Sequence, residues 1–149
     1  MNSVYKRVKK FKKKYPMTIA WRLKANSSVV EKHINPDEKV LYAFPAQKNH
    51  TSLDIFSTVV VVLTDKRILM GRKRLLFGYF LDGITPDMFN DLKVMASLAW
   101  GKIHIDTAKE LVTLSNIDKN ALDEIETNIS SYMLEKKKLY VEHKDNNKN

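Results

Sequence analysis

The stretch Leu53-Asp54-Ile55-Phe56-Ser57-Thr58-Val59-Val60-Val61-Val62-Leu63-Thr64-Asp65-Lys66-Arg67-Ile68-Leu69-Met70-Gly71-Arg72-Lys73-Arg74-Leu75-Leu76-Phe77-Gly78-Tyr79-Phe80-Leu81 decides the fold. It is rich in β-branched and aromatic residues and is cut twice, at Thr64-Asp65-Lys66 and at Gly71-Arg72-Lys73. Such a pattern predicts three antiparallel strands joined by tight turns. Val59 to Leu63 is apolar at every position, so both pleat faces must be covered. That makes it the most deeply buried strand of a sheet that packs or closes on itself. The aromatics Phe56, Phe77 and Phe80 sit within these apolar runs and are expected in the core.

Upstream, Val4, Val8, Phe11 and Tyr15 recur at helical spacing, and Lys6, Arg7, Lys9, Lys10, Lys12, Lys13 and Lys14 cover the remainder of that helix. Pro16 ends it. A weaker helical pattern follows over 17–34, with Trp21 and Leu23 among its apolar residues and a candidate start at Ser27-Ser28. Val40, Tyr42 and Phe44 then mark a strand stopping at Pro45, and 47–52 form a loop. Downstream of Leu81, Asp82-Gly83 is expected to turn the chain and Thr85-Pro86-Asp87 to start a short helix. Short strands are predicted over about 92–98, 102–106 and 110–114. A capping box at Ser115-Asn116-Ile117-Asp118 should lead a helix with Leu122, Ile125, Ile129 and Met133 on one stripe. Beyond Glu135 the composition predicts a fraying end and then a disordered tail.

The chain has 149 residues, one domain's worth, and a formal net charge of +9. Residues 1–15 hold seven of the 26 basic residues and no acid, leaving 19 basic against 17 acidic residues elsewhere. The basic character is thus an N-terminal property. The absence of cysteine fits a cytoplasmic protein and excludes disulfides and thiolate chemistry. The first residues are basic but lack an apolar signal core, so nothing indicates secretion.

Catalytic patterns are weak. His33, His50, His104 and His143 show no ligand spacing, and Asp82, Asp87 and Asp91 do not follow a calcium-loop pattern. No glycine-rich phosphate loop or nucleophile elbow is present. No catalytic residue, metal or cofactor is expected, and the protein should work by binding.

Seven strands followed by an amphipathic helix, with Val60-Val61-Val62-Leu63-Thr64-Asp65-Lys66-Arg67-Ile68-Leu69-Met70 among them, resemble bacterial pleckstrin-homology-like (PH) domains of the YokE-like group. Asp37-Glu38-Lys39-Val40, Gly101-Lys102-Ile103 and Ile117-Asp118-Lys119 resemble further parts of that pattern, over about Pro36 to Met133. The resemblance implies a mainly β, α+β fold. It is a bent seven-stranded antiparallel sheet, a partly open barrel capped by a C-terminal helix, with extra N-terminal helices. The implied division is a basic helical extension over 1–34, the PH-like domain over 35–135 and a charged tail over 136–149. It supports no phosphoinositide site, because Lys48 and His50 are the only basic residues in the loop between the first two strands.

These readings favour a protein-interaction or self-assembly module, with Trp21 and Leu23 as candidate self-association residues in a homo-oligomer. The alternative is a peripheral binder of anionic membrane, at the inner face, through Lys6, Arg7, Lys9, Lys10, Lys12, Lys13 and Lys14 together with Arg72, Lys73 and Arg74. Nucleic-acid binding ranks last, and no small-molecule substrate is inferred.

Overall fold

The computed structural model describes residues 3–48 and 57–148 of the chain. The expected strand content at Ile55-Phe56, the core place of Phe56, the loop over 49–52 and His50 lie outside those residues. The elements in chain order are α1 (Ser3–Lys14), α2 (Leu23–Glu31), β1 (Val40–Gln47), β2 (Thr58–Thr64), β3 (Ile68–Lys73), β4 (Tyr79–Ile84), β5 (Phe89–Ala96), β6 (Trp100–Thr107), β7 (Leu111–Asp118) and α3 (Leu122–Asn146). The strands form one antiparallel sheet in the order β4-β3-β2-β1-β7-β6-β5, curled into a half-barrel capped by α3.

β2 is central and buried throughout. Its alternation divides the apolar interior in two. Val59, Val61 and Leu63 point into the half-barrel with Phe44, Ile68, Met70, Ile103, Ile105 and Leu114, where Ile125, Ile129 and Met133 of α3 close the open end. Val60 and Val62 point outward, and there Val4 and Val8 of α1 and Val30 of α2 cover them together with Ala43 and Leu69. The N-terminal helices therefore complete the second face that the all-apolar strand demanded. Phe11 and Tyr15, further along α1, reach the inner cluster, and Phe11 stacks at 5.7 Å from Phe44 and 6.4 Å from Tyr42.

Two glycines allow this close packing. A Cβ on Gly71 would lie 2.5 Å from Val30 of α2, and one on Gly101 would lie 2.5 Å from Leu122, where α3 leaves the sheet. β1 meets β7 at one residue pair, Gln47 with Ser115. Pro45 is accommodated inside β1 rather than ending it. The segment after α1 crosses this seam. The Thr18 hydroxyl accepts from the Asp118 amide at 3.0 Å, the Ile19 amide donates to the Asn116 carbonyl at 2.9 Å, and the Trp100 indole donates to the Met17 carbonyl at 2.7 Å.

The Thr64–Arg67 hairpin is held by a buried acid. Glu38 accepts from the Thr64 hydroxyl at 2.6 Å and from Arg67 through Nε at 3.0 Å and Nη2 at 3.1 Å, and Arg67 also donates to the His33 carbonyl. Lys66 pairs with Asp37. Both basic residues of the motif thus have structural partners. Burial alone would raise the Glu38 pKa, but the bonds from Arg67 and Thr64 outweigh it and hold the carboxyl below its ordinary value.

Several boundaries differ from the sequence reading. α2 starts at Leu23, behind an Arg22 in the left-handed region, rather than at Ser27-Ser28. Asp82-Gly83 lies within β4, and Thr85–Met88 forms a hydrogen-bonded turn instead of a helix. β7 continues to Asp118, whose carboxylate accepts from the Asn120 amide to start a 3₁₀ turn before α3. α3 then runs unbroken to Asn146, eleven residues past the point where fraying and a disordered tail were expected. Its charged residues are good helix formers, and Lys137 fastens it to the Phe89 carbonyl at 2.7 Å.

Two outcomes test this account. Val61→Asp places an unpaired charge in the inner core, at a cost of several kcal/mol against a total stability of roughly 5–15 kcal/mol, so the cooperative thermal transition should be lost. Glu38→Gln should lower Tm at pH 7. Because the folded pKa of Glu38 is depressed, its stabilisation is present above the unfolded value of 4.5 and is lost as pH falls through the folded value. The Tm gap between Glu38→Gln and the parent should therefore narrow as pH drops below 4.5 and through the depressed folded value.

Candidate functional site

The connection from β3 to β4 carries a run of exposed apolar residues. Arg74, Leu75, Leu76, Phe77 and Gly78 form its turn, closed by the Arg74 amide donating to the Gly78 carbonyl at 3.1 Å. Gly78 has φ of 76°, a left-handed conformation that favours glycine. Leu75, Leu76 and Phe77 are 64%, 81% and 83% exposed, and Tyr79 and Phe80 are half exposed. Phe77 and Phe80, expected in the core, are surface residues. The strand predicted from Leu75 starts four residues later, because hairpin pairing with β3 begins only at Lys73 with Tyr79.

The base of this hairpin is fixed. Asn26 of α2 is buried and bridges two strands, accepting from the Lys73 amide at 2.9 Å and donating to the Thr58 carbonyl at 3.1 Å. Arg22 donates to the Lys73 carbonyl at 2.8 Å, and the Trp21 amide donates to the Thr58 hydroxyl at 3.2 Å. His33 bonds the Tyr79 hydroxyl at 3.0 Å. An apolar tip consequently stands on a rigid foot, rather than on a loose loop.

Cations ring the foot. The Arg72 and Arg74 guanidiniums lie 4.6 Å and 5.3 Å from the centroid of the Phe80 ring. Arg22, Lys24 and Lys73 line one shallow groove with Tyr5. Between Lys66 and Leu81 the sequence contains no acid. Beside the hairpin, a cleft of about 130 Å³ is lined by Lys48, Met70, Arg72, Phe80 and Asp82, and Lys48 is committed there to Asp82 at 2.7 Å.

The sequence-derived residues separate into groups. Arg72, Lys73 and Arg74 stand at the hairpin, and Trp21 is 37% exposed on the same rim. Leu23 is half-buried against the outer core. On α1, Lys6, Arg7, Lys9, Lys10, Lys13 and Lys14 are exposed, and Lys12 folds back onto the carbonyls of Pro16 and Thr18. The apolar stripe of α1 is buried against the sheet, which removes it as a membrane-inserting face. The basic amphipathic pattern was correctly located, but its apolar side serves the core. Leu75, Leu76 and Phe77 were missed as surface residues. Their signal was the unbroken basic-apolar sequence Arg72 to Phe80, which lacks the alternation of a half-buried strand.

Among the described residues, no group of three His, Asp or Glu side chains could hold a metal ion, and no helix is long and apolar enough to cross a membrane.

Replacing Asn26 by Ala should free the hairpin foot. One buried and one part-buried hydrogen bond are lost, at a cost of about 1–3 kcal/mol, and amide exchange at Lys73 should accelerate beyond the global change. Unchanged Lys73 protection would show that the hairpin is held by β3 and β4 alone.

Residues 34–131 match the family described as the bacterial PH domain. A pleckstrin homology domain from Shewanella amazonensis SB2B is 14% identical, with a TM-score of 0.48, covering 74% of this chain and 86% of its own. The C-terminal domain of an unknown protein from Leishmania infantum is 17% identical, with a TM-score of 0.48, covering 65% of this chain and 85% of its own. No curated protein matches the sequence.

Proposed function

From the premise that the chain belongs to the bacterial PH domain family, we propose that it is a non-enzymatic peripheral module that docks on anionic membrane surfaces through the β3–β4 hairpin. The carrying observation is the exposed Leu75-Leu76-Phe77 tip above a foot ringed by Arg22, Lys24, Arg72, Lys73 and Arg74. Apolar residues alone would suit many partners. Apolar residues projecting beyond a collar of cations suit a surface with negative charge outside and hydrocarbon beneath.

The magnitudes are adequate for reversible attachment. A cation near an anionic leaflet contributes about 1 kcal/mol, and burying a Leu or Phe fully contributes about 1.5–3 kcal/mol. Shallow insertion of three such residues, with the collar, gives on the order of 5 kcal/mol or more. The rigid foot reduces the ordering cost on binding. Trp21, 37% exposed beside the hairpin foot, would supply an aromatic ring of the kind that favours the headgroup region. The exposed lysines of α1 add long-range attraction screened over about 8–10 Å at ordinary salt. This reading places the protein at the inner face of the membrane, assigns it to the YokE-like group on its Thr64-Asp65-Lys66-Arg67 hairpin, and keeps 35–135 as the PH-like unit.

Co-sedimentation with phosphatidylcholine vesicles containing 30% phosphatidylglycerol tests the proposal. The parent should bind, pure phosphatidylcholine should not, and the triple variant Leu75→Ser, Leu76→Ser, Phe77→Ser should bind at least tenfold more weakly with nearly unchanged Tm, because these side chains are exposed. Full binding by the triple variant would overturn the hairpin reading. Parent that ignores vesicles but forms a dimer dissolved by the same substitutions would instead make the tip a self-association surface, the role first expected for Trp21 and Leu23.

A further inference from the structure

A second concave feature lies away from the hairpin, between α1, the start of β1 and the first turn of α3. We propose that this cleft is a binding site for a phosphate-bearing anion. Its volume is about 210 Å³, below the ~300 Å³ at which pockets for drug-sized ligands begin. It has room for one compact anionic group.

Arg7, Lys10 and Lys14 line it, and their spacing of three and four residues puts them along one face of α1. Its remaining lining includes Phe11, which is buried, together with half-buried Tyr42 and Glu124. The acid is already matched. Lys14 reaches Glu124 Oε1 at 2.7 Å and the Tyr42 hydroxyl donates to Oε2 at 2.8 Å. Both carboxylate oxygens are engaged and the Lys14–Glu124 pair is neutral as a unit. Burial, followed by the bond to Glu124, pushes the Tyr42 phenol far above its ordinary pKa, so it stays a donor.

The charges of Arg7 and Lys10 are thus in excess over the cleft. Arg7 spends one nitrogen on the Leu41 carbonyl at 3.3 Å, which steadies the side chain while four of its five donor hydrogens are left. A guanidinium and an ammonium beside an aromatic floor are a pairing suited to phosphate oxygens, with the apolar backing strengthening the attraction. The site joins α1, which precedes the residues matched by the family, to β1 and α3 within them. It is therefore a property of this chain's own extension and does not depend on the hairpin reading.

Titration of the full chain with inorganic phosphate at constant ionic strength, followed by NMR of the Phe11 and Tyr42 rings, tests the site. Saturable shifts are expected. Arg7→Ala and Lys10→Ala should each raise Kd at least tenfold. Glu124→Gln should lower Kd several-fold, because it removes the one negative charge in the cleft. Lys9→Ala should leave Kd unchanged, since Lys9 stands over the Tyr5 ring on another side of α1. Absence of saturable shifts, or equal weakening by Lys9→Ala and Lys10→Ala, would overturn the proposal in favour of diffuse attraction to a basic helix. The phosphate source is read from vesicles containing phosphatidic acid, using the hairpin triple-serine variant. Binding that needs Arg7 and Lys10 identifies a lipid headgroup, and binding of free phosphate alone identifies a soluble ligand. Loss of vesicle binding with phosphate binding retained leaves this site standing whatever becomes of the hairpin.

Discussion

The structure depends on a strand that is apolar on both faces. Val59, Val61 and Leu63 are satisfied by the half-barrel and α3, but Val60 and Val62 would face water if the sheet stood alone. Exposing two valines and their neighbours would forfeit about 1.5–3 kcal/mol for each side chain. α1 and α2 remove that loss, and everything peculiar to the molecule follows from their being there. Gly71 opens room for α2, Asn26 ties α2 to the foot of the hairpin, and Arg7, Lys10 and Lys14 are brought beside Tyr42 and Glu124.

The hairpin and the cleft illustrate opposite uses of positive charge. At the hairpin, the Arg72 and Arg74 guanidiniums lie over the Phe80 ring, so that an aromatic face holds the charged groups in place. In the cleft, Lys14 is neutralised by a half-buried carboxylate, and the remaining excess belongs to two residues only. Net charge counts both alike. Geometry makes one a broad collar and the other a small recess.

Much of the architecture was legible because it rests on pattern and period. The all-apolar run at Val59–Leu63, the Thr64–Arg67 turn, the stripe on α1 and the stripe on α3 each follow one repeat length, and the sheet with its capping helix follows from them. What was illegible depended on partners distant in sequence. Leu75 to Phe77 continue an apolar run into Tyr79 and Phe80, yet pairing of Lys73 with Tyr79 places them in the loop, where they have no ladder to join. The apolar stripe of α1 looked the same whether destined for lipid or for Val60 and Val62. The cleft could not be read at all, because Tyr42 and Glu124 stand 82 positions apart and meet only through the curl of the sheet.

The seam between β1 and β7 has a consequence in time. A single residue pair joins these strands, and the crossing is made good by bonds from Met17, Thr18 and Ile19 to residues 97–101 positions further along. Loop closure over such separations is slow, and it comes late in topologies dominated by distant contacts. On a ribosome adding 5–20 residues per second, the segment after α1 must wait roughly 5–20 s for β7 to emerge. Throughout that interval the β1–β3 meander can already form and take its helical cover, with Phe11 of α1 already against Phe44 and Tyr42 of β1. Emergence of β7 and α3 then adds the bonds from Met17, Thr18 and Ile19 and the pair of Lys14 with Glu124, which fasten α1 and the segment after it to the far half of the sheet.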